Sequence, residues 1–243
     1  MPKGMTGKEF IKWYEQKNDC ILKKHGCKSP KDRVKNSYWE NHELNSKHDW
    51  KHIDVPCNFH YTPSGSCVPN EACYSGITLS AGVDMGQHNA QSLTNWGITP
   101  KSHPSLYKLL EPLLGTGQAC QAYENIKKIK PHISTAESKK LISLVFPVYL
   151  KRLAMQFKQI TGDNFYELPS RTQSAIFDWF YNQGNIYNLI HGKYGKINWQ
   201  NISNRLYQAG QDNPYSRFTQ DANHILEDLV SGALKEYDLC QQK

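Results

Sequence analysis

The chain has 243 residues, a net charge of +7 and 38% hydrophobic residues. Its 12% aromatic residues are enough to help fill a core, which excludes disorder of the whole chain because disordered chains are poor in aromatic residues. No apolar run reaches the roughly 18 residues that indicate a membrane-spanning helix. The excess of basic residues, 29 against 22 acidic ones, favours an anionic partner such as nucleic acid, an anionic membrane or an anionic cell wall.

Nucleic acid is the least supported of these partners. The sequence has neither a zinc-finger spacing nor a glycine-rich phosphate-binding loop, and its Lys and Arg residues are scattered along the chain. We therefore predict no nucleic-acid partner, and a basic surface that is simply solvated remains an alternative explanation of the charge.

The N-terminal third predicts two helices followed by irregular structure. Residues 6 to 25 form a helical pattern that ends at Gly26, and residues 29 to 44 form a second one. Residues 50 to 75 are rich in Pro and Gly, which is typical of irregular or hairpin-like structure. The first nine residues lack the apolar run of a signal peptide. We expect a parent polypeptide or a secretion machine to deliver the protein.

The cysteines predict disulfide bonds, which form in oxidising compartments. The seven residues are Cys20, Cys27, Cys57, Cys67, Cys73, Cys120 and Cys240. Pairs that are close in sequence are expected, either within residues 57 to 73 or between residues 20 and 27. Unpaired thiols are one alternative, and a metal site built from Cys57, His60, Cys67 and Cys73 is another. The tight Cys-x-x-Cys spacing of many zinc sites does not occur, so we predict no metal and no cofactor.

Residues 76 to 88 differ from their surroundings. Three glycines punctuate an alternation of apolar residues at 77, 79, 81 and 83, which is the period of a β-strand. Downstream, apolar residues recur at helical spacing. The predicted helices cover residues 106 to 114, 134 to 160, 169 to 184, 199 to 207 and 218 to 234. Ser134 and Glu137 form a capping box, Pro147 should kink its helix, and Gly184 should end the next.

Residues 75 to 87, Ser-Gly-Ile-Thr-Leu-Ser-Ala-Gly-Val-Asp-Met-Gly-Gln, resemble a motif of the lysozyme superfamily. The motif is that of the pesticin type of phage-lysozyme-like bacterial toxin. Weaker similarities lie at Leu114–Ala119 and in the helix that ends with Tyr181-Asn182-Gln183-Gly184. The resemblance implies an α+β, mostly α, lysozyme-like fold with a small glycine-rich β-hairpin element and a helical lobe. Residues 1–75 would lead into the cleft of this single domain, and residues 76–243 would form the β element and the lobe.

The same resemblance implies a peptidoglycan muramidase that hydrolyses the β-1,4 bond between N-acetylmuramic acid and N-acetylglucosamine. It would act as an antibacterial toxin or effector in the periplasm or cell wall of target bacteria, and an immunity protein would protect the producer. The basic charge suits an anionic wall. The alternatives are a phage endolysin, a relative that degrades chitin or chitosan, and a non-catalytic wall-binding module.

Thr78 and Asp84 are the first candidate catalytic residues. They are six residues apart, so on one continuous strand they would face the same side. A hydroxyl and a carboxylate on one face can hold the water that an inverting glycosidase uses as nucleophile, and the glycines would let backbone approach a sugar polymer closely. In the alternative interpretation, Asp84 only caps the next turn.

The general acid should be a glutamate at the end of a helix that precedes the hairpin, as the family resemblance implies. We rank Glu43 first, Glu40 second and Glu15 third, with Glu71 as a further cleft carboxylate. The side chains of Trp179, Phe180 and Tyr181 are more typical of core than of a sugar-binding platform. Asn182, Gln183 and His88 are expected to reach the cleft.

Overall fold

The computed structural model describes residues 51 to 234, except 52, 58, 70–73, 81, 191–196, 213–216 and 231–233. These residues fall into two compact units, one ending at Val148 and the other beginning at Tyr149. The two helices predicted before residue 45 lie outside the described residues, and the predicted division at residue 75 stays a prediction. None of the helices in the described part combines the length and hydropathy needed to cross a membrane.

The first unit contains two small antiparallel sheets. The strands are β1 (Ile53–Asp54), β2 (Phe59–Tyr61), β3 (Cys67–Pro69), β4 (Thr78–Leu79) and β5 (Val83–Asp84). Strands β2 and β3 form a hairpin, and the other sheet has the order β1-β4-β5. The glycine-rich β-hairpin predicted within residues 76 to 88 is therefore confirmed, and a 3-10 turn at Met85–Gln87 follows it directly.

Short helices complete the first unit. They are α1 (Ala90–Asn95), α2 (Pro104–Leu110) and α3 (Ala119–Ile129), followed by the long α4 (Thr135–Thr161), which runs on into the second unit. A capping box starts α1, because the Asn89 side chain accepts from Ser92 N while the Ser92 side chain accepts from Asn89 N. Leu79, Met85 and Leu93 are fully buried in the core of this unit.

The predicted capping box of α4 is confirmed. Ser134 N donates to Glu137 Oε2 at 2.9 Å, and Glu137 N donates to Ser134 Oγ at 3.2 Å. The hydrogen bonds from Ser134 lower the pKa of Glu137 from its ordinary value of 4.5. Pro147 lies inside α4, which continues through it, and the kink predicted there stays a prediction.

The second unit is helical. After the end of α4 it contains α5 (Ser170–Gln183), α6 (Trp199–Asp212) and α7 (Arg217–Val230). Gly184 ends α5 in the left-handed conformation, with φ of 72°, as predicted. A buried contact joins two of the helices, because Asp228 Oδ2 of α7 accepts from both Thr172 N and Thr172 Oγ1 in the first turn of α5. The helices and small sheets of the two units confirm the predicted α+β, mostly α, fold class.

Candidate functional site

Thr78 and Asp84 lie directly opposite each other on the paired strands β4 and β5. The same-face expectation was argued for one continuous strand, whereas the chain reverses after Leu79 and forms the predicted hairpin. Ser80 and Gly82 adopt left-handed conformations in the turn, with φ of 54° and 94°. The expectation that Thr78 and Asp84 share a face still holds, but the reason is that opposite residues of an antiparallel pair project to the same side.

The two faces of this hairpin differ in character. Leu79 and Val83 are opposite each other and retain 0% and 2% of their accessible surface, so their face belongs to the core. Thr78 and Asp84 alternate with them and are half-buried. The hydroxyl and the carboxylate therefore belong to the face that is open to solvent.

The carboxylate of Asp84 is held by three hydrogen-bond donors. Gly76 N donates to Oδ2 at 3.0 Å and Gly86 N donates to Oδ1 at 3.0 Å. Gln87 Nε2 donates to Oδ2 at 2.9 Å. Asp84 thus caps the turn at Met85–Gln87, as the alternative interpretation held. Its carboxylate also links Gly76, just before β4, to Gly86, just after β5. Thr78 Oγ1 donates to the Gly76 carbonyl oxygen at 3.3 Å.

The glycines of the motif are explained by close packing of backbone. A Cβ on Gly76 would lie 2.5 Å from Gly86 Cα and 2.8 Å from the Gly117 carbonyl oxygen. A Cβ on Gly86 would lie 2.7 Å from Gly76 Cα and would also overlap the Gly117 oxygen. At these two positions the backbone meets backbone of this chain, and the approach of a sugar to the glycines stays a prediction.

The loop before α3 is hydrogen-bonded to the residues that flank the hairpin on both sides. Gly115 N donates to the His88 carbonyl oxygen at 3.1 Å, and Ala119 N donates to the Ser75 carbonyl oxygen at 2.8 Å. Ala119 adopts a φ of 47°, which is strained for a residue with a Cβ. The Leu114–Ala119 segment therefore packs against the motif at residues 75 to 87. The sequence analysis treated these two segments as separate similarities.

A disulfide lies next to this loop. Cys67 of β3 is bonded to Cys120, the second residue of α3, with a Cα–Cα distance of 5.8 Å. Cys57 is also disulfide-bonded. The prediction of disulfides is confirmed. Cys67 pairs with a cysteine 53 residues away in sequence, outside the predicted short-range sets, and a short-range pair among the other cysteines stays a prediction. A metal site at Cys57, His60, Cys67 and Cys73 is incompatible with these bonds.

The comparison with known proteins gives one family. The family model Pesticin, described as "Bacterial toxin homologue of phage lysozyme, C-term", matches residues 57–203, which is more than half of the chain. The chain belongs to the pesticin family. Membership supports a lysozyme-like glycoside hydrolase and a toxin in general terms, with action on the peptidoglycan of target cells. No curated protein is significantly similar to the chain.

The match to the pesticin family includes Thr78 and Asp84 but begins after Glu15, Glu40 and Glu43. These three glutamates, and Glu71, lie outside the described residues. Their ranking as general acids therefore stays a prediction, as do the roles of Thr78 and Asp84.

The aromatic residues at the end of α5 pack as core. Phe180 retains 2% of its accessible surface, and the Trp179 ring lies against Phe218 with 5.3 Å between ring centroids. Tyr181 packs edge-on against Tyr149 at 5.2 Å. These contacts agree with the expectation that the three side chains serve packing more than sugar binding.

Two other cleft candidates have partners within their own unit. The His88 ring packs edge-on against Trp96, with 4.7 Å between centroids. Asn182 Nδ2 donates to the Asp178 carbonyl oxygen at 2.7 Å, while Gln183 is exposed. A role of these three residues in substrate binding stays a prediction.

Proposed function

We propose that this pesticin-family domain is a muramidase that hydrolyses the β-1,4 bond between N-acetylmuramic acid and N-acetylglucosamine in peptidoglycan. The observation that carries the proposal is the pairing of Thr78 with Asp84 on the solvent-facing side of the hairpin. A hydroxyl and a carboxylate in this arrangement suit the binding of one water molecule. The family match across the same residues supports hydrolysis of a glycan.

In the proposed reaction, the water held at Thr78 attacks the anomeric carbon while the glycosidic C–O bond breaks. A carboxylate of the same face takes the proton of the water, and sequence reasoning assigns this step to Asp84. The leaving oxygen takes a proton from the general acid, for which Glu43 is the first candidate and Glu40 the second. Attack by water without a covalent intermediate inverts the anomeric centre, which needs about 6.5–9.5 Å between the two carboxyl groups.

The biological role that we propose is that of an antibacterial toxin or effector. Its substrate lies in the cell wall of target bacteria, its net charge of +7 complements an anionic wall, and its disulfides suit the oxidising periplasm. A parent polypeptide or a secretion machine would deliver it. An immunity protein that blocks the cleft would protect the producing cell.

Loss of turbidity of purified peptidoglycan tests the enzymatic proposal. The wild-type protein should clear the suspension, and Thr78→Val should lose activity because the variant lacks the hydroxyl. Thr94→Val is the matched control, since Thr94 is exposed on α1 and its hydroxyl donates to the Ala90 carbonyl oxygen of the same helix. A wild-type protein that sediments with peptidoglycan without clearing it would instead be a wall-binding module.

Two further measurements test the mechanism. Among Glu43→Gln, Glu40→Gln and Glu15→Gln, one variant should lose activity by about 100- to 10,000-fold, the usual contribution of general acid catalysis. If all three keep their activity, Glu71 is the next to test. NMR during the first minutes of digestion should show the α-anomer at the new reducing end. An initial β-anomer would contradict inversion.

A further inference from the structure

Tyr74 is an exposed aromatic residue just before the hairpin motif. It retains 70% of its accessible surface, the largest fraction among the exposed large hydrophobic residues in the described part of the chain. Exposed hydrophobic residues that are scattered singly are ordinary on protein surfaces. Tyr74 differs from such residues because hydrogen bonds hold its backbone beside the candidate catalytic carboxylate.

A single amide nitrogen joins Tyr74 to Asp84. Gln87 Nε2 donates to the Tyr74 carbonyl oxygen at 3.1 Å and to Asp84 Oδ2 at 2.9 Å. A carbonyl oxygen and an ionised carboxylate can only accept hydrogen bonds, so the Gln87 amide must present its nitrogen to both of them. The Tyr74 backbone therefore lies one bridging nitrogen away from the carboxylate that is paired with Thr78.

Two further hydrogen bonds fix the residues that follow Tyr74. The Ser75 carbonyl oxygen accepts from Ala119 N at 2.8 Å, and Gly76 N donates to Asp84 Oδ2 at 3.0 Å. The backbone is thus hydrogen-bonded to other parts of the unit at three consecutive residues. An exposed tyrosine ring on a fixed backbone loses little conformational freedom when a ligand covers it, and this favours binding.

We propose that the Tyr74 ring is a stacking platform for an N-acetylated sugar of the glycan strand, next to the bond that is hydrolysed. This rests on the proposed function and names how the same site binds its substrate. The bond to be broken must lie over Thr78 and Asp84, so a ring held beside them meets the glycan strand first.

The chemistry of the sugar matches that of the ring. A β-linked sugar of the gluco series carries its axial hydrogens at C1, C3 and C5 on one face, which makes that face apolar. A tyrosine ring offers an apolar face while its hydroxyl, at the edge, stays in contact with water. Tyr74 would bind the strand and take no part in bond breaking, which stays with Thr78, Asp84 and the general acid.

The first test measures the release of reducing ends from soluble peptidoglycan fragments. Tyr74→Ala should raise KM about 5- to 30-fold, the usual effect of removing an aromatic residue central to an interface, with kcat close to that of the wild type. Tyr74→Phe keeps the ring and should keep the wild-type KM. Both variants should keep the wild-type thermal unfolding midpoint, because the side chain is exposed.

Tyr61→Ala is the matched control. Tyr61 is an exposed tyrosine of the same unit, but its hydroxyl donates to Glu124 Oε1 at 3.0 Å and its ring centre lies 5.1 Å from Lys127 Nζ. Its ring is therefore already engaged by this chain, and the variant should keep the wild-type KM. A KM in Tyr74→Phe as high as in Tyr74→Ala would show that the hydroxyl and not the ring binds, and would overturn the inference.

Saturation-transfer NMR tests binding without turnover. The ligand is the disaccharide of N-acetylglucosamine and N-acetylmuramic acid with its stem peptide, which lacks the bond to be hydrolysed. Irradiation of the aromatic protons should saturate the axial protons of a sugar ring, and Tyr74→Ala should lose this transfer. Transfer chiefly to the stem peptide would overturn the inference.

The two tests separate the inference from the proposed function. An active wild-type protein with an unchanged KM in Tyr74→Ala would overturn the inference alone. A wild-type protein that binds the disaccharide through Tyr74 but releases no reducing ends would overturn hydrolysis and leave the platform. A protein that neither binds nor hydrolyses would overturn both.

Discussion

Removal of the Cys67–Cys120 disulfide should lower stability and loosen the loop before α3, which is hydrogen-bonded to the entrance of the hairpin. The bond closes a loop over a sequence separation of 53 residues, for which the chain-entropy treatment gives about 4 kcal/mol at 25 °C. For a chain of 243 residues, an unfolding entropy of about 2.1 cal/mol/K per residue converts this into a fall in Tm of about 8 °C.

The double variant Cys67→Ser/Cys120→Ser isolates this bond from that of Cys57. Calorimetry should show the lower Tm, and amide exchange should become faster at Ala119, whose N–H donates to the Ser75 carbonyl oxygen. A reducing agent serves as the control, because it should shift the wild type by at least as much as the double substitution does. A Tm within about 2 °C of the wild type would refute the entropy argument. A lower Tm with unchanged exchange at Ala119 would refute the connection to the loop.

Three further predictions concern the hairpin and α4. Asp84→Asn should lower the free energy of unfolding by about 1–3 kcal/mol in urea titrations, because an amide can no longer accept from both Gly76 N and Gly86 N. Gly86→Ala should cost about 1–3 kcal/mol by overpacking in the same assay and should reduce lysis, since its Cβ would lie 2.7 Å from Gly76 Cα. Glu137→Gln should be less stable than the wild type above pH 5. Because the pKa of Glu137 is lowered from 4.5, that difference should disappear as pH falls through the lowered pKa, and a difference independent of pH would contradict it.

Those parts of the fold that depend on neighbours in sequence were predictable. The capping box at Ser134 and Glu137 and the stop at Gly184 are local features, and both are present. Predicted helix ends were less accurate: the helix expected over residues 106 to 114 is Pro104–Leu110 with a 3-10 turn after it. Helix α3 was not identified separately, because its start depends on the loop contacts of Ala119.

The candidate site was predictable only in part, for a physical reason. Thr78 and Asp84 were found because they lie in one short motif, although their shared face was argued from a continuous strand and not from pairing across the hairpin. Strand β1 was not predicted, because a two-residue strand carries no period and only its pairing with β4 gives it a place in the sheet. The Cys67–Cys120 bond joins positions 53 residues apart, and spacing alone does not select such a pair.

The packing of Gly76 against Gly86 has a consequence for genetics. The atoms that a new side chain would meet at either position include the other glycine's Cα and the Gly117 carbonyl oxygen. These are backbone atoms, and no substitution elsewhere removes them. In a screen for variants that fail to lyse cells, lesions at Gly76 and Gly86 should therefore revert only at the same codon.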